Sequence, residues 1–303
     1  MIGYYYIVDM VAIETSSDAY PIFDSHCHAW RLWPYLPLVP DESARGTIDQ
    51  LLYEMDTYGV EQALVVCAAI GENPDNIDYV SLAREQHPGR FHVLADLDCT
   101  WSTTYHAPGI AERLRELDDR YDLVGFTHYV EDENDGFLVS DEAERLFDVA
   151  EERRLVISLA ASPAWQADLR DIARRHPGVS VLCHHLGSVL AGCGLDSNGL
   201  AEVVASASVP NLFMKVSGFH YCSERSWDYP WHDAIAIFER IFDAYGPNRL
   251  CWGSDFPASK RYCTYRQSLE VLRAHCPFLG TRDLSLIMGG TLRAILASNR
   301  TAN

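Results

Sequence analysis

Eight short apolar, β-branched runs recur along the chain. They are "PIFDSH" from 21, "QALVVCAA" from 62, "FHVLADLD" from 91, "LVGFTHY" from 123, "LVISLAA" from 155, "VSVLCHHLG" from 179, "NLFMKVSG" from 211 and "RLCWGSDFP" from 249. Their hydrophobicity is continuous rather than alternating, which marks strands covered on both faces, as in parallel sheets. Helical patterns lie between them. In "TIDQLLYEMDTYG" the residues Ile48, Leu51, Leu52, Met55 and Tyr58 fall on one stripe and Gly59 is the stop. "HDAIAIFERIFDAYG" repeats the pattern with Ala234, Phe238, Ile241, Phe242 and Tyr245, closed by Gly246 and Pro247. Two junctions, "LAREQHPGRFHVLA" and "IARRHPGVSVLC", each run helix, His-Pro-Gly, strand.

Strands alternating with helices leave two architectures, a (β/α)8 TIM barrel or a large doubly wound sheet. The barrel is the expectation. Polar, chemically capable residues collect at the C-terminal ends of several distant runs, and those ends meet at one mouth only if the sheet closes. No linker, low-complexity tract or charge block divides the chain. The expected organisation is an N-terminal arm over residues 1–20 and one α/β domain over 21–303.

Charge narrows the partners. The chain of 303 residues carries a net charge of −19. Such a surface repels nucleic-acid phosphates and anionic lipid, so neither partner is expected. No apolar stretch is long enough to span a membrane. Nine cysteines, an odd number without a CxxC pair, sit largely inside apolar runs. That usage fits reduced thiols in a cytoplasmic protein.

The chemistry starts at "FDSHCHAW". His26 and His28 are one residue apart, and on a strand such residues face the same side. Both imidazoles can then share one ion, although a strand end with two polar residues would read the same way. Asp255 ends the eighth run, whose strand neighbours the first in a closed barrel. A carboxylate there can ligate a metal, take a proton from water, or cap a turn. His184 and His185 end the sixth run. Strand parity lets one of them face the axis, and the shared parity of Val181 and Cys183 favours His185. Lys215, near the end of the seventh run, needs a partner or a substrate anion if buried, and a salt bridge to Asp255 or a nearby acid would serve. His128 and Arg31 are further cations near the mouth. Trp30, Trp33 and Tyr35, with Phe219, His220, Tyr221, Trp227, Tyr229 and Trp231, make an aromatic rim suited to a ring-shaped substrate. The same rim would serve as an interface, so a homo-oligomer stays open.

Together "FDSHCHAW", "LVGFTHYVEDENDGFL", "VLCHHLG", "MKVSG" and "LCWGSDFP" resemble the amidohydrolase superfamily, in order, over residues 21 to 297. The resemblance is to the amidohydrolase-2 group that includes sugar-acid lactonases and 2-pyrone-4,6-dicarboxylate lactonase. It implies a distorted barrel that opens a lactone, or a similar cyclic ester or amide, by water attack at the carbonyl of a small-molecule substrate. It implies one divalent metal ion, zinc by preference, on His26, His28, Asp255 and His185, with Asp255 and His185 catalytic. Trp30, His128, Lys215 and His184 would contact substrate. Some relatives work without metal, with histidines polarising the carbonyl directly. Three departures stand out: Thr127 replaces an arginine expected to grip the substrate, His184 replaces an aspartate, and Ser158 stands where relatives often carry an acid. Two other readings keep the barrel: a non-oxidative decarboxylase of aromatic acids, and a ligand-binding barrel that has lost its activity.

Overall fold

The computed structural model describes residues 20–301. The arm expected over residues 1–20 therefore lies outside the described residues, apart from Tyr20. Eight parallel strands pair in chain order: β1 (Ile22–Cys27), β2 (Val60–Val66), β3 (Phe91–Asp96), β4 (Gly125–Tyr129), β5 (Val156–Ala160), β6 (Val181–Cys183), β7 (Leu212–Val216) and β8 (Leu250–Trp252). Each expected run holds one strand. Between them run α1 (Ile48–Tyr58), α2 (Asn76–Gln86), α3 (Ile110–Tyr121), α4 (Asp141–Arg153), α5 (Gln166–Arg175), α6 (Asn198–Ala205), the short α7 (Phe219–Cys222) and α8 (His232–Tyr245). After β8 come α9 (Tyr265–His275), α10 (Thr281–Ser285) and α11 (Thr291–Thr301). The molecule is a (β/α)8 TIM barrel. Among the described residues no helix is long and apolar enough to cross a membrane.

The helices start and stop where local chemistry requires. At α1 the Thr47 hydroxyl accepts a hydrogen bond from Gln50 N–H, and the chain leaves the helix through left-handed Gly59 (φ 71°). Its buried stripe is Ile48, Leu51 and Met55.

Burial divides into two layers. Ile22, Val65, Val93, Phe126, Ile157, Val181, Cys183 and Met214 face the surrounding helices. Phe23, Leu64, Val66, Leu94, Val156, Leu182 and Cys251 fill the barrel's interior, with Leu292, Ile295 and Leu296 of α11 packed on them. This layering reverses the parity argument on β6. Leu182 is the interior residue, so His184, not His185, continues the axial face. Both faces of a barrel strand are apolar, so hydrophobicity alone cannot tell which parity looks inward.

No regular ladder joins β8 to β1, and specific groups hold the last seam closed. Asp255 N–H donates to His26 O (2.8 Å) and His28 N–H to Phe256 O (2.6 Å). One oxygen of the buried Asp24 carboxylate accepts from Ser254 N–H (2.9 Å) and His26 N–H (3.1 Å). Its other oxygen accepts from the Tyr265 hydroxyl (3.0 Å). A Cβ at Gly253 would lie 2.7 Å from the Cβ of His26, so only glycine lets the two strands approach this closely.

Candidate active site

The mouth is built where strands end. β1 shifts register against β2 between Asp24 and Cys27, an irregularity of the kind that re-aims side chains at barrel rims. It brings His26 and His28 together, with ring centroids 5.0 Å apart. β6 and β8 stop at Cys183 and Trp252, before the residues of interest. His185 (φ 47°) and Asp255 (φ 54°) both sit in left-handed backbone that non-glycine residues rarely adopt. Strain of this kind is retained where the surrounding structure demands a particular side-chain direction. Past the end of β6 the chain no longer alternates, so both His184 and His185 lie against His26, at 4.5 and 4.7 Å between ring centroids. The expectation that one of the pair turns away is therefore not met. Gly218 makes room: a Cβ there would stand 2.6 Å from His185 Nδ1.

Asp255 Oδ1 lies 3.5 Å from His26 Nε2 and 3.9 Å from His28 Nε2. Its other oxygen is 3.8 Å from Nε2 of His220, on α7. All four side chains are buried. His26 Nε2, His220 Nε2 and Asp255 Oδ2 have no hydrogen-bond partner. Buried polar atoms normally find one, so this cluster is built to be completed by something else.

The donors fit a zinc-type ion. Two atoms on one tetrahedral ion at about 2.0–2.2 Å stand roughly 3.3–3.6 Å apart, close to the separations around Asp255. His26, His28 and Asp255 form one group able to hold a cation, and His26, His184 and His185 form another. His28 Nδ1 is fixed by the Val66 carbonyl (3.0 Å), so it carries the proton and Nε2 presents its lone pair.

The layer beneath sets the remaining tautomers. Lys215 Nζ reaches His26 Nδ1 (3.1 Å) and Ser158 Oγ (2.6 Å), and Ser158 Oγ meets His184 Nε2 (2.6 Å). Burial pushes the Lys215 ammonium down to about 7. In its neutral amine form it would accept the His26 Nδ1 proton and free His26 Nε2 as a lone pair. Ser158 then accepts from Lys215 and donates to His184 Nε2. His184 Nδ1, a buried atom with no partner, is left as an N–H donor.

Burial lowers the pKa values of His26, His184 and His185 and holds His28 at about 3, so these imidazoles are neutral, the form that ligates metal. Burial pushes the Asp255 carboxyl up to about 7, and a cation alongside favours its ionised form.

Above this cluster opens a cavity of about 320 Å³, with His28, His185, Asp255, Tyr35, Tyr129 and Tyr221 in its wall. Several residues expected to meet substrate do not reach it. Trp30 is fully buried behind His28, stacked on its ring at 4.8 Å and donating to Ala68 O. His128 shares the outward parity of Phe126; its Nδ1 is bound to Leu97 O (2.8 Å) and its Nε2 faces His106 Nε2 (3.2 Å). Lys215 lies under the histidines with His26 and Ser158 as its partners, and among the described residues it makes no ion pair with an acid. His184 belongs to the cluster. Sequence reasoning left out Ser158 and Ser217 as orienting groups, His220 as the third imidazole on Asp255, and Tyr129, whereas Tyr35 and Tyr221 belong to the expected aromatic rim. Ser217 Oγ holds His185 Nδ1 at 3.0 Å. A serine two residues after a strand lysine carries no signal of that kind.

Comparisons with known proteins bear on the fold and the family. The chain is 24% identical over 286 residues to the L-fucono-1,5-lactonase of Burkholderia multivorans (strain ATCC 17616 / 249), covering 88% of this chain and 93% of the relative. Among solved structures, a Burkholderia multivorans amidohydrolase with bound zinc superposes with a TM-score of 0.72 at 21% identity, covering 91% of this chain and 99% of that one. A probable 2-pyrone-4,6-dicarboxylic acid hydrolase from Acinetobacter baumannii, with citric acid bound, matches with a TM-score of 0.72 at 18% identity and the same coverage. The amidohydrolase family profile matches residues 23–294, nearly the whole barrel, and the chain belongs to that family.

Proposed function

We propose that the protein is a hydrolase that opens a lactone by adding water to its carbonyl carbon, releasing a hydroxy acid. The observation that carries this reading is the Asp255 carboxylate, buried 3.5 and 3.9 Å from two imidazole nitrogens, with one oxygen unpartnered at the floor of a small cavity. One divalent ion, zinc by the donor set, on His26, His28 and Asp255, with His185 beside them, would polarise the carbonyl and lower the pKa of water towards about 7. Asp255 takes the proton of the attacking water and returns it to the leaving ring oxygen. His185, in the cavity wall with Nδ1 held by Ser217 Oγ, turns its Nε2 edge to the carbonyl oxygen as negative charge develops there. Beneath the site, Ser158 orients His184 and Lys215 orients His26. The cavity of about 320 Å³ accommodates a five- or six-membered ring, and the Tyr35, Tyr129 and Tyr221 side chains line it with aromatic faces and hydroxyls.

The test is a panel of sugar lactones and aromatic acids, followed by acid release and by CO2 release. Lactone opening in the wild type is the expected result. CO2 release from an aromatic acid without lactone opening would replace this reading with a decarboxylase on the same residues.

A further inference from the structure

No arginine is among the buried polar residues of the described barrel, and Thr127 stands where the resemblance to the amidohydrolase-2 group implies one. Thr127 is fully buried and its hydroxyl donates to Ser158 O (3.1 Å). Four other cations around the mouth are engaged elsewhere. Lys215 is bonded to Ser158 and His26 beneath the cluster. His128 is tied to Leu97 O and His106. Arg31 lies over the Tyr79 ring with Asp75 4.0 Å from its Nε. Lys260 has Glu54 at 4.0 Å.

Arg261 differs. It follows β8 by nine residues, on the same loop as Asp255, and is exposed. Its guanidinium carbon lies 4.6 Å over the ring of Tyr35, a wall of the cavity, and 5.4 Å over Tyr262. Tyr262 stacks on His220 at 4.4 Å, and His220 faces Asp255. Arg261 Nε donates to Ala258 O (3.3 Å). Among the described residues its two terminal nitrogens have no hydrogen-bond partner and no carboxylate lies within 4 Å of them. Two aromatic faces and one backbone bond hold the guanidinium, leaving a two-pronged donor edge free. Its charge is felt at the site: it pulls the Asp255 carboxyl down against burial, and it adds to the burial that keeps His220 neutral.

We propose that Arg261 is the specificity residue of the site: it binds a substrate carboxylate at the rim in place of the missing interior arginine, so the substrate class is a lactone that carries a free carboxylate. The carboxylate accepts two parallel N–H bonds from Arg261 while the ring lies between the tyrosines with its carbonyl over Asp255. On a chain of net charge −19, a local guanidinium is also what lets an anion approach. The proposal rests on the lactonase reading for the reaction but not for the binding.

Two measurements separate these. The first is equilibrium binding of two inert ring ethers, tetrahydropyran-2-carboxylate and the neutral tetrahydropyran-2-methanol, by calorimetry. Wild type is expected to prefer the carboxylate, and Arg261→Gln to weaken it about tenfold or more while leaving the alcohol unchanged; Arg261→Lys restores part of the loss. Equal affinity for both probes in the wild type, no detectable carboxylate binding, or an unaltered affinity in Arg261→Gln overturns the proposal. The second is turnover of a carboxylated sugar lactone and its neutral counterpart. Arg261→Gln should raise KM for the carboxylated lactone about tenfold with kcat held, flatten its salt dependence, and spare the neutral one. A fall in kcat alike for both would also overturn it. If the wild type opens neither lactone, the hydrolase reading fails, and the calorimetry still decides the role of Arg261.

Discussion

The two walls of the barrel mouth treat their buried polar atoms differently. At the seam of β8 and β1, His26 Nε2, His220 Nε2 and Asp255 Oδ2 are buried without a partner. Across the mouth, at β3 and β4, comparable groups are tied down. Asp96 accepts from Ala69 N–H (2.7 Å) and Trp101 Nε1–H (2.8 Å). Asp98 takes the guanidinium of Arg113, with Nε at 2.9 Å. His128 spends both ring nitrogens on Leu97 O and His106, and His106 passes on to Asp135 at 2.7 Å. A buried polar group costs stability unless it is paired. The paired wall therefore holds the fold, and the unpaired seam carries a cost that a bound ion or substrate offsets.

The seam gives the largest expected effect. Asp255→Asn should lower kcat/KM about 10³-fold, within the usual range for a lost general base. Its unfolding midpoint should stay level or rise, because the change removes a buried carboxyl whose pKa burial has pushed to about 7. A large drop in midpoint would show that Asp255 is structural and erase the contrast between the walls. Asp98→Ala on the opposite wall should invert the outcome. Losing a nearly buried carboxylate that grips Arg113 should destabilise by about 2–4 kcal/mol in urea unfolding. The activity of the remaining folded fraction should change less than severalfold.

The same contrast marks what the amino-acid order could reveal. Strand and helix positions were legible because each strand is a continuous apolar run and helices such as α1 have a cap, a stripe and a glycine stop. His26, His28 and Asp255 were legible because strand ends in a closed barrel converge. The inward parity of β6 was not, since Leu182 and Cys183 are equally apolar and face opposite layers. Nor was the gathering of both His184 and His185, which depends on left-handed backbone past the end of the strand. His128 read as a mouth residue because an outward imidazole and an inward one look alike until Phe126 fixes the parity. Orphaned and satisfied polar atoms differ in partners contributed by distant residues, and a linear pattern does not show those.

His128 supplies the finest test of the paired wall. Burial holds its pKa near 4, below the ordinary value of 6.5. Between those two values the unfolded chain binds a proton at this ring and the folded chain does not, so acid favours unfolding. The stability tied to neutral His128 is complete above about pH 6.5 and is lost as pH falls towards 4. From pH 7.5 to 5 the loss from this one group is about 2 kcal/mol. The rings and carboxyls facing it are His106, Asp98 and Asp135, and their own titration remains in any variant. His128→Gln keeps an amide that donates to Leu97 O or faces His106, and it cannot titrate. Urea unfolding at the two pH values should show the wild type losing about 2 kcal/mol more than this variant, with equal stability, to within roughly 1 kcal/mol, at pH 7.5. Identical pH slopes would mean that the outer histidine already titrates at its ordinary value in the folded state. The β4 wall would then be as open to protons as the seam, and partnering would no longer distinguish scaffold from site.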